Sequence, residues 1–235
     1  MKHLLLILIL ILQTTTAEEQ KDIPSIETKI KLISVTPLNS PAAYISESPL
    51  AEKPTYKAIP IAKSYMPNAV KYKGPIINTL YSDPHGKSPL AKVIFKKEVK
   101  ETIILLLNNK KQVNKAIAIN GQSKNFPKAA RRIFNFTSTK IRGEWGQLPF
   151  KRGHKNNQTF SVKAGSAATI NTPDASAPAN QSQPFILEAL KTDKWITCMS
   201  TRWFHAPHLR HFVFLVPSSD KKRIVVRTIS EWIES

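Results

Sequence analysis

From Lys73 onward the chain is a series of short runs rich in branched and aromatic residues, each closed by turn-forming residues. Residues 76–81 end at Ser82-Asp83-Pro84-His85-Gly86, residues 90–95 follow, and residues 101–107 stop at Asn108-Asn109. Further runs occupy 115–120, 131–136, 139–145, 159–162, 167–171, 185–190, 194–204, 209–216 and 223–229. About twelve strands, spaced about 8–12 residues apart, predict an all-β domain over residues 73–235. The architecture expected is an antiparallel β-sandwich, Ig-like or cupredoxin-like. Ala164-Gly165-Ser166 reads as a hairpin turn, since glycine takes positive φ there without steric cost.

Two runs are apolar on both faces. In 209–216 one face carries Leu209, Val213 and Leu215, and the other Phe212, Phe214 and Val216. Residues 103–107 do not alternate either. Such strands suit a sheet centre covered on both sides. No window of a dozen residues keeps a helical apolar stripe, and only 230–233 suggests one terminal turn. Trp145, Trp195, Phe212, Phe214, Ile103 and Leu105 are the expected core.

The region before this domain is patterned differently. Ten of the seventeen prolines lie between Pro24 and Pro89, spaced every few residues. Proline at that density opposes helix and interrupts ladders, so residues 18–72 read as an extended arm or linker. Residues 29–35 alternate well enough for one strand, and the arm is a candidate cover for the second face of the 209–216 strand. Residues 1–17 open with Lys2 and His3, continue with nine unbroken Leu and Ile residues, and end in Gln13-Thr14-Thr15-Thr16-Ala17. This layout reads as a secretory signal peptide, its apolar run too short to span a bilayer. The protein is therefore expected to be exported, to a bacterial periplasm or beyond.

Charge sharpens the picture more than composition does. The formal net charge is +19, and residues 110–163 hold thirteen basic residues against one acid, Glu144. Such a field attracts an anionic polymer, a cell-wall surface or a membrane surface. The single cysteine, Cys198, forms no intramolecular disulfide and is expected as an inert buried thiol.

Several short motifs carry a family resemblance: Tyr72-Lys73-Gly74-Pro75, the 103–107 strand, Asn125-Phe126-Pro127, and Arg132-Ile133-Phe134-Asn135-Phe136-Thr137. The Ala164-Gly165 turn, Trp195, Thr201-Arg202-Trp203, Arg210 and the 212–217 strand complete them. Over about residues 72–230 the chain resembles a group of uncharacterised, signal-peptide-bearing bacterial proteins. The resemblance implies a β-sandwich and brings no active-site residues. The chain departs from the pattern where Ala129 replaces an expected glycine and Ala164 an expected proline.

His205, His208 and His211 lie within seven residues, yet in a strand His205 and His211 share a face about 20 Å apart while His208 points away. A turn at Pro207 would bring together only His205 and His208, which are the candidate metal ligands though a metal is not favoured. No nucleophile elbow, phosphate loop or carboxylate pair stands out, so a non-enzyme without cofactor is the reading. The basic segment interleaves Arg131, Arg132, Lys140, Arg142, Lys151, Arg152 and Lys155 with Phe134, Phe136, Trp145 and Phe150, the pattern of a polyanion-binding face. Alternation of core aromatics with a solvated face produces the same pattern. The expected function is a non-catalytic cell-envelope protein binding an anionic polymer or surface, with no specific nucleic acid. The alternatives are a small metal-dependent enzyme using His205 and His208, or a structural subunit docking a protein partner through its arm.

Overall fold

The structure is a computed structural model that describes residues 24–36, 38–107, 114–146, 152–155, 157–172, 178–179, 181–218, 220 and 223–233. The segment read as a signal peptide lies outside the described residues, as does Lys151. Among the described residues there is no α-helix, and no helix is long and apolar enough to cross a membrane. The protein is all-β, its sheets packed in a sandwich-like arrangement.

The N-terminal half contains β1 (Ser25–Ser34), β2 (Ala42–Ser46), β3 (Tyr56–Ala62), β4 (Val70–Pro75), β5 (Ile77–Tyr81), β6 (Pro89–Ile94), β7 (Glu101–Leu107) and β8 (Lys115–Asn120). They join in the order β6-β5-β2-β3-β1-β7-β8, with β4 also paired to β1. β1 changes partner along its length: Ser25 to Ile30 lie against β4, while Leu32 and Ile33 lie against β3. Its alternation places Ile26, Ile30 and Leu32 in a core shared with Ile45, Tyr72, Val93 and Phe95.

The stretch read as a proline-rich arm, residues 18–72, thus holds three strands and the start of a fourth. Among β1–β4, prolines occur only at Pro60 and at the end of β4, Pro75. Pro41, Pro49, Pro54 and Pro67 occupy connections. Proline density averaged over a window hides this, because a proline in a connection limits a strand without destroying it. β5–β8, assigned from sequence to the downstream sandwich, belong to this same eight-stranded sheet.

The C-terminal half contains β9 (Arg131–Asn135), β10 (Ile141–Trp145), β11 (Gln158–Val162), β12 (Ala167–Ile170), β13 (Ser182–Lys191), β14 (Lys194–Phe204), β15 (Leu209–Pro217) and β16 (Ile224–Trp232). Two four-stranded sheets form, β11-β10-β13-β14 and β12-β9-β15-β16. Most ladders are antiparallel, whereas β9 runs parallel to β15, and β1 parallel to β3 and β7. Gly165 has φ +68°, the backbone expected of it. Its turn joins two sheets, because β11 pairs with β10 and β12 with β9, so it closes no hairpin. Residues 230–232, read as a helical turn, continue β16.

The β12-β9-β15-β16 sheet is the middle layer of the molecule. One face, with Ile133, Val213 and Leu215, meets Trp145, Phe185 and Leu187 of the partner sheet. The other face, with Phe134, Phe212, Phe214 and Ile229, packs on Ile33, Val35, Ala62, Ile103 and Leu105 of the N-terminal half. Arg227 crosses the same boundary to the carbonyls of Ser34 and Ala62. Both faces of β15 are apolar because two cores claim it. Of the expected core residues, Trp195 alone is only half-buried, and it lies under Arg142 on the outer surface.

Candidate binding surface of the C-terminal half

Alternation along β9 and β10 sends the basic residues to different places. Arg131 has the parity of Ile133 and turns into the C-terminal sandwich, where it is 3 % exposed. Its guanidinium carbon lies 3.8 Å from the ring centre of Trp145 and 4.4 Å from that of Trp203. Arg132 has the parity of Phe134 and faces the boundary between the halves. Neither is part of an exposed basic face. A one-residue step along a strand reverses a side chain.

Arg142 and Arg152 remain on the surface, both held by Glu188. Arg142 Nε donates to Glu188 Oε2 at 2.6 Å, and Arg152 bonds the other carboxylate oxygen. Burial works against ionisation of Glu188, but the hydrogen bonds from Arg152 and Arg142 outweigh it and lower its pKa. The same contact raises that of Arg152. Glu144 lies two residues beyond Arg142 on the same strand face and accepts from Gly153 N at 2.7 Å and from Asn157 Nδ2. Arg142, Glu144, Arg152 and Glu188, with Thr159 and Ile186, line a cavity of about 350 Å³. The sequence nominated no carboxylate pair, since Glu144 and Glu188 are 44 positions apart, and the β10–β13 register unites them. The two arginine contacts favour the ionised form of Glu188, which is held as an anion in this cleft. Two cations and two anions balance one another in this cleft.

A set of exposed lysines lies at one end of the same sheet. Lys140 precedes β10, Lys163 follows β11, Lys191 ends β13 and Lys194 begins β14, and all four are exposed. Register sets Lys140 opposite Lys163 and Leu190, with Leu190 N bonded to Lys140 O at 3.0 Å, and sets Lys191 opposite Lys194 one position further along. The four strand ends form a row about 14 Å long at about 4.8 Å spacing, with Lys140 and Lys163 on one side of the pleat and Lys191 and Lys194 on the other. Lys155 is exposed as well. Lys191 and Lys194 were missed as site residues, although Lys-Thr-Asp-Lys between two strands is a hairpin signal. Thr192 and Asp193 both have positive φ, the backbone of a two-residue hairpin turn.

The histidines diverge. His205 is 2 % exposed and its backbone N donates to Gln181 O at 2.8 Å. His208 is exposed, its ring stacked on Trp232 at 5.8 Å. His211 turns inward, shares a 2.9 Å hydrogen bond with Ser230 Oγ, and has its pKa lowered to about 4 by burial and by the charge of Arg131. Among the described residues no three His, Cys, Asp or Glu side chains converge as metal ligands. Cys198 is half-buried and donates to Leu187 O at 3.3 Å, and burial raises its pKa, which keeps the thiol protonated.

No protein-family model matches the chain, and neither does any curated protein.

Proposed function

We propose that the protein is an exported, non-catalytic component of a bacterial cell envelope that binds an anionic polymer or surface. The observation that carries this reading is the lysine row of Lys140, Lys163, Lys191 and Lys194 on four adjacent strand ends. Ammonium groups gathered at one sheet end suit a polymer that carries an anion at each repeat and displaces counterions along it. The apolar run at residues 4–12 and the charge of +19 support the same reading. Binding here is electrostatic and insensitive to sequence or stereochemistry.

Heparin serves as the probe. Reversal of Lys140, Lys163 and Lys194 to Glu should weaken binding about a hundredfold at low salt and flatten its logarithmic salt dependence. The same reversal at Lys92, Lys96 and Lys97, exposed on the N-terminal half, should do much less. Equal losses from both sets would make total charge the cause and overturn the reading.

A further inference from the structure

We propose that Arg131, in the corner formed by Trp145 and Trp203, binds the carboxylate or phosphate group of a small anionic ligand. This site is separate from the lysine row. Lys140 stands at the start of β10 and Trp145 at its end, about 17 Å along the strand.

The first observation is a charge without a counter-charge. Among the described residues the Arg131 guanidinium makes no ion pair and no hydrogen bond, and its Nε is buried without an acceptor. Buried charge is ordinarily neutralised by a paired group, because desolvation of an isolated ion costs several kcal/mol. This chain does so elsewhere: Arg210, equally buried, has two carboxylates and a carbonyl.

The second observation is independent of the arginine. Trp145 Nε1 is also fully buried without a partner. Two buried N–H donors of this ring corner therefore lack an acceptor, whereas a buried indole N–H is ordinarily bonded. A group carrying several acceptor oxygens and a negative charge would supply what both donors lack. Carboxylates and phosphates meet that description, and guanidinium binds both through paired N–H bonds.

The rings explain how the cation is held ready. Trp145 and Trp203 meet at 86° with centres 6.3 Å apart, and Phe185 stacks on Trp203 at 3.8 Å. The guanidinium thus sits against two indoles set nearly at right angles. Ring faces accept N–H groups only weakly, so the donor capacity of the guanidinium remains unspent. Burial lowers the pKa of Arg131 to about 9, so it stays cationic at neutral pH.

Tryptophan emission tests this, in the full chain carrying Trp195→Phe and Trp232→Phe so that only Trp145 and Trp203 report. Sodium phosphate and sodium acetate are titrated separately at constant ionic strength made up with chloride. A saturable change with either salt is expected, and the salt with the lower midpoint identifies the group preferred. Arg131→Lys keeps the charge but not the fork, and should raise the midpoint about tenfold or more. Trp145→Phe keeps the packing but not the donor, leaves Trp203 as reporter, and should raise it severalfold. Reversal of Lys140, Lys163 and Lys194 should leave the midpoint unchanged, so this site can fail while the polymer reading stands, and the converse. Absence of saturation with both salts overturns the proposal. An unchanged midpoint in the folded variants also does so, since Arg131 would then be a purely structural cation. If Arg131→Lys does not fold, Trp145→Phe decides.

Discussion

Two buried arginines occupy opposite faces of the central sheet, and the chain treats them in opposite ways. Arg210 on β15 turns toward the N-terminal half. Its Nε donates to Glu231 Oε2 at 2.6 Å, one terminal nitrogen to Phe126 O at 3.0 Å, and the other to Glu101 Oε1 at 3.2 Å. Lys31 completes the cluster by bonding both carboxylates, and their hydrogen bonds raise its pKa although burial opposes this. Arg131 on β9 lies next to that strand, in register with His211, and turns the other way into rings with no acid among them. Paired charge at the boundary joins two halves. Unpaired charge inside one half leaves an electrostatic demand unmet, and that is a property of a site rather than of a brace.

The comparison breaks most readily at Arg210. Arg210→Met removes one of the two cations that hold Glu231, which is 2 % exposed, and should lower unfolding stability by about 3 kcal/mol in urea. A loss below about 1 kcal/mol would mean that the cluster is not a brace.

Acid should act through the Arg131 side. His211 has a folded pKa near 4, below the unfolded value of about 6.5, so the unfolded chain binds the proton more tightly. The stability this histidine contributes is therefore complete above about pH 6.5 and declines as pH falls toward 4, by about 3 kcal/mol in all. His211→Gln should remove that part of the pH dependence, as denaturation midpoints between pH 4 and 7 will show.

Ala129 tests the framework that carries both arginines. It has φ +58°, where glycine is favoured, and its N donates to Leu209 O at 2.8 Å, setting β9 beside β15. The resemblance read from sequence expected glycine at this position. Ala129→Gly should relieve left-handed strain and raise stability by about 1 kcal/mol, less a small unfolded-state entropy term. Calorimetry would register this as a higher Tm.

The smallest effect sharpens the comparison most. Arg131→Met in anion-free buffer should change stability by less than about 1 kcal/mol, because relief of desolvation offsets lost ring contacts. A loss as large as that of Arg210→Met would give the two arginines the same structural role.

Much of the fold was legible before any coordinates. All twelve strands read after Lys73 are present within a few residues, because period-two alternation and turn chemistry are local. The two-faced apolarity of residues 209–216 anticipated a strand covered on both sides. β2, β3 and β4 escaped notice because their short runs lie between prolines.

The candidate sites were less legible. Sequence grouped Arg131, Arg132, Arg142 and Arg152 by nearness and sign, and the fold sent them to a ring corner, a boundary and a shared carboxylate. It also aligned Lys140, Lys163, Lys191 and Lys194, which no linear window collects.

The chain by itself determined its β class, its strand boundaries downstream of Lys73 and its excess of positive charge, each set by composition or by neighbours within a few residues. Only the tertiary structure decided which strands share a sheet, which cations meet an acid and which are left with aromatic rings. Those outcomes depend on register between segments tens of residues apart, where one step of pairing turns a side chain from solvent to core.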